Sequence, residues 1–253
     1  MPTPPRASSP SPALLWQGER RRLRDPRLDV AANLDLDDPT RGVRPHGDEA
    51  ADTLLGVELR GPFHLADHWI RAGDAAAIYE SADERRLRVT AMWRLHAGGG
   101  RVRAWELILS AQTALLHSDP RLVVVSRVAG GGRGGAARCA WGHGDGDGVV
   151  WRDEASPQAA AVLVVPGDDD ARGGAGGAES VVVVGHPGEV ERLAVRHDAG
   201  DVVVEAWLFA GDLEKGVLLR GRVLAAIGPA ATARTWAGDL ALAFAGTAPM
   251  LST

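Results

Sequence analysis

The segment Arg86–His96, RLRVTAMWRLH, alternates between two kinds of side chain along its whole length. One set is apolar and comprises Leu87, Val89, Ala91, Trp93 and Leu95. The other set comprises Arg86, Arg88, Thr90, Met92, Arg94 and His96. Successive side chains of a β-strand point to opposite faces of a sheet, whereas a helix repeats about every 3.6 residues. The pattern therefore predicts a strand with one face in the core and the other in water.

A second alternating stretch, RVRAWELILSAQ at residues 101–112, follows the glycine-rich link HAGGG. So short a link joins antiparallel strands, so we predict a hairpin. Further strands rich in Val, Leu and Ile are predicted at Leu122–Val128, Val149–Trp151, Ala160–Val165, Ser180–Val184, Glu191–Arg196, Val202–Phe209 and Gly216–Ile227. Their links are rich in Gly, Asp and Pro and lack helical segments of useful length. We therefore predict a mainly β fold, a single antiparallel two-sheet sandwich of roughly ten or more strands, of which the large sandwich of sugar mutarotases is one version.

The strand patterns begin at about Thr53, and the residues before it differ in composition. Residues 1–27 are Pro- and Ser-rich and then Arg-rich, which predicts a disordered tail. Residues 28–52 are acidic and are predicted to connect this tail to a sandwich domain at residues 53–253. Near the end, Trp236, Leu240 and Phe244 have the spacing i, i+4 and i+8, which predicts a helix over about residues 231–245 on a sheet face.

The charge balance and the single cysteine restrict partners and compartment. A formal net charge of -5 argues against a nucleic-acid partner, because phosphate backbones are bound by basic faces. The sequence lacks the run of about 18 apolar residues that a membrane span needs, and its start lacks the apolar run of a signal peptide. We therefore expect a cytoplasmic protein without a membrane partner. Cys139 has no second cysteine to pair with, so it is expected to be a bystander thiol.

The segment His143–Glu154, HGDGDGVVWRDE, has the spacing of a calcium-binding loop from its third to its twelfth position. Asp145, Asp147 and Glu154 would supply the carboxylate ligands. His143, however, offers nitrogen at the first position, where calcium prefers oxygen. The alternative is a polar turn leading into the strand at Val149, because Gly and Asp are favoured in turns. Calcium is the only cofactor that the sequence suggests.

Two glutamates lie in predicted strands among apolar residues, where a carboxyl group can serve as a general acid or base. Glu205 lies in VVVEAWLF, and Glu106 raises the same question in AWELIL. In a mutarotase-like enzyme, Glu205 and a histidine such as His186 would form the acid–base pair. The alternative for either glutamate is a salt bridge to an arginine on the neighbouring strand.

Tryptophan is unusually frequent among the aromatic residues, with 8 Trp against 1 Tyr and 3 Phe. Its flat ring stacks well on sugar rings, which suggests a carbohydrate ligand. Trp93, Trp105 and Trp236 fall on apolar faces and are predicted to be core residues. Positions at loops or strand ends make better ligand-binding candidates, and these are Trp69, Trp141 and Trp151.

Two stretches of the chain resemble a group of bacterial proteins without assigned function, and the resemblance as a whole covers about half of the chain. The first is FAGDLEKGVLLRGRVLAAIG at residues 209–228, which runs on into the end of the chain, LALAFAGTAPMLST. The second is AWELILSAQTALLHSDPRLVV at residues 104–124. The resemblance implies a β-rich fold with a terminal helix and transfers no catalytic residue.

Three functions fit the sequence. The first is a non-catalytic binding or interaction module, with carbohydrate as the candidate ligand. The second is a mutarotase-like sugar epimerase that uses a Glu/His acid–base pair. The third is a structural protein stabilised by calcium. Exposed tryptophans in a concavity would favour the first, and convergence of Glu205 and His186 in one cleft would favour the second.

Overall fold

The computed structural model describes residues 16–19, 21–25, 32–47, 52–96, 101–129, 137–145, 148–166 and 178–248. The strands in these ranges are β1 (Gln17–Glu19), β2 (Arg22–Asp25), β3 (Ala32–Asp35), β4 (Val43–Arg44), β5 (Thr53–Glu58), β6 (Phe63–Arg71), β7 (Asp74–Ser81), β8 (Leu87–His96), β9 (Arg103–Thr113), β10 (His117–Ser118), β11 (Leu122–Val128), β12 (Arg138–Asp145), β13 (Gly148–Arg152), β14 (Ala161–Val165), β15 (Glu179–Gly185), β16 (Arg192–Asp198), β17 (Asp201–Leu208), β18 (Leu213–Glu214) and β19 (Leu219–Pro229). The α-helix is α1 (Ala233–Ala245), and short 3-10 helices lie at Pro39–Arg41 and Ala230–Thr232.

Two large antiparallel sheets form a sandwich. The eight-stranded sheet has the order β1-β2-β3-β4-β5-β11-β17-β16, and the nine-stranded sheet has the order β13-β12-β14-β15-β19-β9-β8-β7-β6. A small ribbon of β10 and β18 lies apart from them. Side chains of both sheets share one hydrophobic core, which places the sheets face to face. The predicted mainly β sandwich with a C-terminal helix is confirmed.

Strand β8 has the predicted division of faces. Its residues from Leu87 to Leu95 alternate between buried and half-buried or exposed, and the apolar set lies in the core between the sheets. The Trp93 indole is fully buried and donates its N–H to the carbonyl of Leu55 at 3.0 Å, across the sandwich. Trp16 in turn donates to the carbonyl of Trp93 at 3.1 Å. These bonds satisfy buried polar groups that would otherwise oppose folding.

The part of the chain before Thr53 contains strands β1 to β4, where we expected a tail and a connecting segment. Leu23, Leu34 and Val43 of these strands are buried in the main core. The physical reason is visible in ANLDLD, where Ala32 and Leu34 alternate with polar side chains. The alternation of apolar and polar residues is only a few residues long here, so it is hard to recognise among the acidic residues. Of the predicted tail and connecting segment, residues 1–15, 20, 26–31 and 48–51 lie outside the described ranges.

Helix α1 begins at Ala233, after one 3-10 turn, and packs on the outer face of the nine-stranded sheet. Its buried residues are Ala233, Ala237, Ala241 and Phe244. The predicted stripe of Trp236, Leu240 and Phe244 is therefore shifted by about one position, and Trp236 and Leu240 are half-buried at its side. Small alanines allow the helix to approach the sheet closely, which apolar periodicity alone does not reveal. Among the described residues, no helix is long and apolar enough to cross a membrane.

Candidate functional site

The outer face of the nine-stranded sheet is divided into two halves. Helix α1 packs over β13, β14, β15 and β19, with a second hydrophobic cluster beneath it. The other half consists of the outward side chains of β6 to β9, many of them polar and only half-buried. We call this half the polar face, and its members include Trp69, Arg71, Asp74, Glu80, Arg88, Thr90, Met92, Arg94, His96, Glu106 and Ser110.

Strand register brings four charged residues of the polar face into one row, which begins with Arg71 of β6 opposite Asp74 of β7. Asp74 of β7 is opposite Arg94 of β8, which is opposite Glu106 of β9. Arg94 binds both carboxylate oxygens of Asp74, through Nε at 2.8 Å and Nη2 at 3.0 Å. This bidentate geometry fixes both side chains in the face of the sheet.

Glu106 is the most deeply buried acid of the polar face, with only 5% of its side chain exposed. Its Oε2 lies 2.7 Å from Nε2 of His96 and 4.0 Å from Nη1 of Arg94. Its Oε1 lies 4.0 Å from Nη1 of Arg222. Burial of a carboxylate is unfavourable unless opposite charges and donors surround it, and these three neighbours meet that requirement. His96 remains 32% exposed, so its ring is held by a buried carboxylate and is still reachable from solvent.

Arg222 connects the polar face to the end of α1. Its buried guanidinium binds both carboxylate oxygens of Glu189, at 2.9 Å from Nε and 2.9 Å from Nη2. Its Nη1 donates to Oγ1 of Thr247 at 3.0 Å, and Nε2 of His186 lies 3.1 Å from the carbonyl oxygen of Thr247. Nδ1 of His186 lies 3.4 Å from Glu189 Oε1 without a hydrogen bond to it. This arrangement attaches the chain just beyond α1 to the sheet, and it positions Arg222 beside Glu106.

The structure does not bring Glu205 and His186 together. Glu205 alternates with the buried residues Val204 and Ala206 of β17, so it lies on the outer face of the eight-stranded sheet. It accepts a hydrogen bond from Arg196 of the neighbouring strand at 2.8 Å, which is the alternative that the sequence left open. His186 lies on the outer face of the other sheet, beneath α1, where its ring meets that of Phe244 edge-on. With the core between them, the two cannot act on one atom.

The three candidate ligand-binding tryptophans have different surroundings. Trp69 is 42% exposed, and its register opposite Ala76 places it on the polar face. Trp141 is buried in the core between the sheets. Trp151 is half-buried against α1 and donates its indole N–H to the carbonyl of Arg234 at 3.0 Å. Only Trp69 of the three lies beside the ionised groups of the polar face. Trp93 and Trp105 are confirmed as core residues.

The segment with calcium-loop spacing forms the hairpin of β12 and β13. Asp145 is paired with Gly148 near the tip, whereas the exposed Glu154 follows the base of the hairpin at Arg152. The five residues of β13, from Gly148 to Arg152, span about 14 Å, so Asp145 and Glu154 cannot share one cation. Asp147 lies outside the described residues. Among the residues that are described, no group of three or more His, Cys, Asp or Glu could hold a metal ion.

A cleft of about 660 Å³ opens beside β12 and β16, and its lining includes Cys139, Trp141 and His197. Burial raises the pKa of the Cys139 thiol to about 11, so the thiol is protonated at neutral pH and is a poor nucleophile. Two charged residues of the cleft, Asp153 and Arg234, form an exposed ion pair at 2.9 Å. The described lining residues of the cleft do not include buried, mutually oriented charged groups like those of the polar face, which we therefore regard as the better candidate site.

The sequence predicted that Arg94 and His96 lie on the solvent-facing side of their strand, and it identified Glu106 as a possible acid or base. It did not predict that the three side chains meet. The sequence signal for this site was Glu106 in AWELIL, which lies between the core residues Trp105 and Leu107. Such a residue needs partners on neighbouring strands. The predicted hairpin identifies one of those strands, β8. The other, β19, depends on sheet order, which no local pattern supplies.

No family model matches the sequence, and no curated protein matches it. Among solved structures, the chain is similar to the crystal structure of a candidate aldose 1-epimerase from Klebsiella pneumoniae subsp. pneumoniae, with a TM-score of 0.43 and 11% identity. The match covers 82% of this chain and 65% of that chain. A likeness at this level of identity and TM-score transfers no site residue.

Proposed function

We propose that the protein binds a neutral, hydroxyl-rich ligand of the carbohydrate class on the polar face. The observation that supports this most directly is the row of paired charges Asp74, Arg94 and Glu106, with His96 bound to the glutamate. Register also places Arg71 opposite Asp74, so the row holds two carboxylates and two guanidinium groups. The face therefore offers hydrogen-bonding groups without a strong demand for a charged ligand. Glu80 and Arg88 add a further opposite-charge pair at 3.6 Å.

Hydroxyl groups suit such a surface because each one donates and accepts a hydrogen bond. Carboxylates only accept hydrogen bonds and guanidinium groups only donate them. A row that alternates between them can therefore accept from the O–H of a ligand hydroxyl and donate to its oxygen. Hydrogen bonds to ionised groups are also the stronger ones. Fixed ion pairs lose little conformational freedom on binding, which favours affinity.

Trp69 supplies the second element that a sugar ligand requires. A sugar ring has an apolar side of C–H groups, and an exposed indole ring can pack against it. Asp74 lies two residues from Ala76, the strand neighbour of Trp69, so the indole and the ion-pair row are adjacent. A ligand that stacks on Trp69 would therefore present its hydroxyls to Asp74 and Arg94.

Calorimetric titration with D-glucose, D-galactose, D-mannose and their linear oligosaccharides tests the proposal. We expect at least one of these sugars to bind, and we expect Trp69→Ala to weaken that binding about tenfold, or about 1.4 kcal/mol. Glu106→Gln should weaken it as well, because the charge that orients His96 is lost. Leu242→Ala is the matched control, since Leu242 is 40% exposed on α1, away from the polar face. Absence of binding by the whole panel, or equal affinity of Trp69→Ala and the wild type, would contradict the proposal.

A second candidate function is interconversion of sugar anomers, and the His96–Glu106 contact favours it. Ring opening removes a proton from the anomeric hydroxyl and adds one to the ring oxygen, and ring closure on the other face reverses both transfers. An accessible imidazole held at 2.7 Å by a carboxylate is suited to such proton transfers.

Polarimetry of freshly dissolved α-D-glucose or α-D-galactose distinguishes catalysis from binding. If the site is catalytic, the wild type accelerates the approach to the equilibrium rotation, and His96→Ala lowers kcat by about a hundredfold or more. Trp69→Ala should then raise KM more than it lowers kcat. A rotation rate equal to that of buffer alone would leave the binding proposal standing and remove the enzymatic one.

A further inference from the structure

Four large aliphatic side chains are exposed at one end of the sandwich. They lie in the turn between β9 and β10 and in the turn between β18 and β19, and we call them the apolar patch: Leu115, Leu116, Val217 and Leu218. Leu116 is the most exposed, at 75%. Exposed aliphatic residues are ordinary when scattered singly, whereas several grouped together mark a surface used for contact.

The strand pairings show that the patch is contiguous. Strands β10 and β18 form a ribbon in which His117 is opposite Glu214, so the two turns lie side by side. At the other end of each turn, Leu219 of β19 is opposite Ala111 of β9. Each turn is thus held at both ends against the other, which keeps the four side chains together on one surface.

We propose that the apolar patch is the interface through which two copies of this chain associate about a two-fold axis. The charges beside the patch favour a second copy over other partners. Glu214 and Lys215 are adjacent, exposed and opposite in sign, and neither forms an ion pair within the described part of the chain. A two-fold axis that passes through the patch between these residues would bring Glu214 of each copy near Lys215 of the other and form two equivalent ion pairs.

Other occupants fit these residues less well. A membrane surface attracts clusters of unpaired basic residues, whereas the charges beside this patch are mixed, since Lys215 is adjacent to Glu214 and the neighbouring Arg85 is paired with Asp83. A strongly charged protein partner would select one sign of charge at the rim. A self-complementary patch with an apolar centre and mixed charges at its edge is the pattern of a symmetric interface.

Sedimentation velocity over a hundredfold range of protein concentration tests the proposal on the full chain. We expect the wild type to pass from monomer to dimer with rising concentration, and we expect Leu116→Glu to stay monomeric throughout. Leu242→Glu is the matched control, because it adds the same charge at an exposed leucine of α1 and should dimerise like the wild type. Thermal unfolding of both variants checks that they are folded, as expected for side chains that lie mainly in solvent.

Charge reversal tests the two-fold arrangement itself. Lys215→Glu makes positions 214 and 215 acidic in both copies, so like charges face each other across the axis. The dimer Kd should then rise about tenfold or more. Combining it with Glu214→Lys restores opposite charges across the axis and should return the Kd to within a few-fold of the wild type. A wild type that is monomeric at every concentration, a Leu116→Glu variant that dimerises normally, or a double variant no better than Lys215→Glu would each overturn the proposal.

Discussion

Replacing Trp93 by alanine is expected to lower the free energy of unfolding by about 4 kcal/mol. The side chain is fully buried in the core between the two sheets. Its removal leaves a large cavity and loses the hydrogen bond from the indole N–H to the Leu55 carbonyl. That carbonyl belongs to a residue with a φ of 58°, a backbone conformation that is unfavourable for leucine and is retained only if its surroundings hold it. The substitution therefore affects packing and a strained backbone together.

Urea denaturation followed by circular dichroism measures this effect. The matched control is Trp69→Ala, which removes the same side chain from a position that is 42% exposed and should cost about 1 kcal/mol or less. Trp93→Phe should lie between the two, because it keeps most of the ring but leaves the Leu55 carbonyl without its donor. If Trp93→Ala and Trp69→Ala proved equally stable, the core between the sheets would not be the main source of stability.

The extent to which sequence specifies this fold depends on the length of each pattern. Strand β8 has ten residues, and its alternation identifies both the strand and its buried face. Strands β2 to β4 have two to four residues each, too short for a period of two to stand out against their charges. They fold as strands because tertiary partners complete the pattern, as when Leu34 of β3 pairs with Leu23 of β2.

The candidate site depends even more on non-local pairing. The predicted hairpin supplies the pairing of β8 with β9, which places Arg94 opposite Glu106. The pairing of β7 with β8, which brings Asp74 to Arg94, was not predicted, and Arg222 reaches Glu106 only because β19 pairs with β9. Glu205 and His186, by contrast, were expected to form a pair, and the structure keeps them apart. Both residues belong to predicted β segments or their ends, but the strands belong to different sheets, so their side chains lie on opposite outer faces. Alternation predicts on which side of a strand a residue lies, whereas sheet order decides which residues meet.

Replacing Arg222 by methionine is expected to destabilise the protein by about 3–5 kcal/mol, although methionine nearly preserves the volume of the side chain. Only 3% of the Arg222 side chain is exposed, and it binds both carboxylate oxygens of Glu189, of which 13% is exposed. The variant leaves Glu189 as a nearly buried carboxylate without its guanidinium. It also removes the donor to Thr247, which attaches the end of α1 to the sheet.

A double-mutant cycle separates the cost of the unpaired charge from the value of the pair. Glu189→Met should also be strongly destabilising, since it leaves the guanidinium without its bidentate partner. The double variant, with methionine at both positions, should be more stable than the sum of the two single effects implies, by about 2–3 kcal/mol, because no unpaired charge remains there. Urea denaturation gives the four stabilities, and hydrogen exchange of the α1 amides shows whether the helix end loosens first. Strict additivity of the two substitutions would mean that Arg222 and Glu189 act independently, and the buried ion pair would then not be what holds α1 to the sheet.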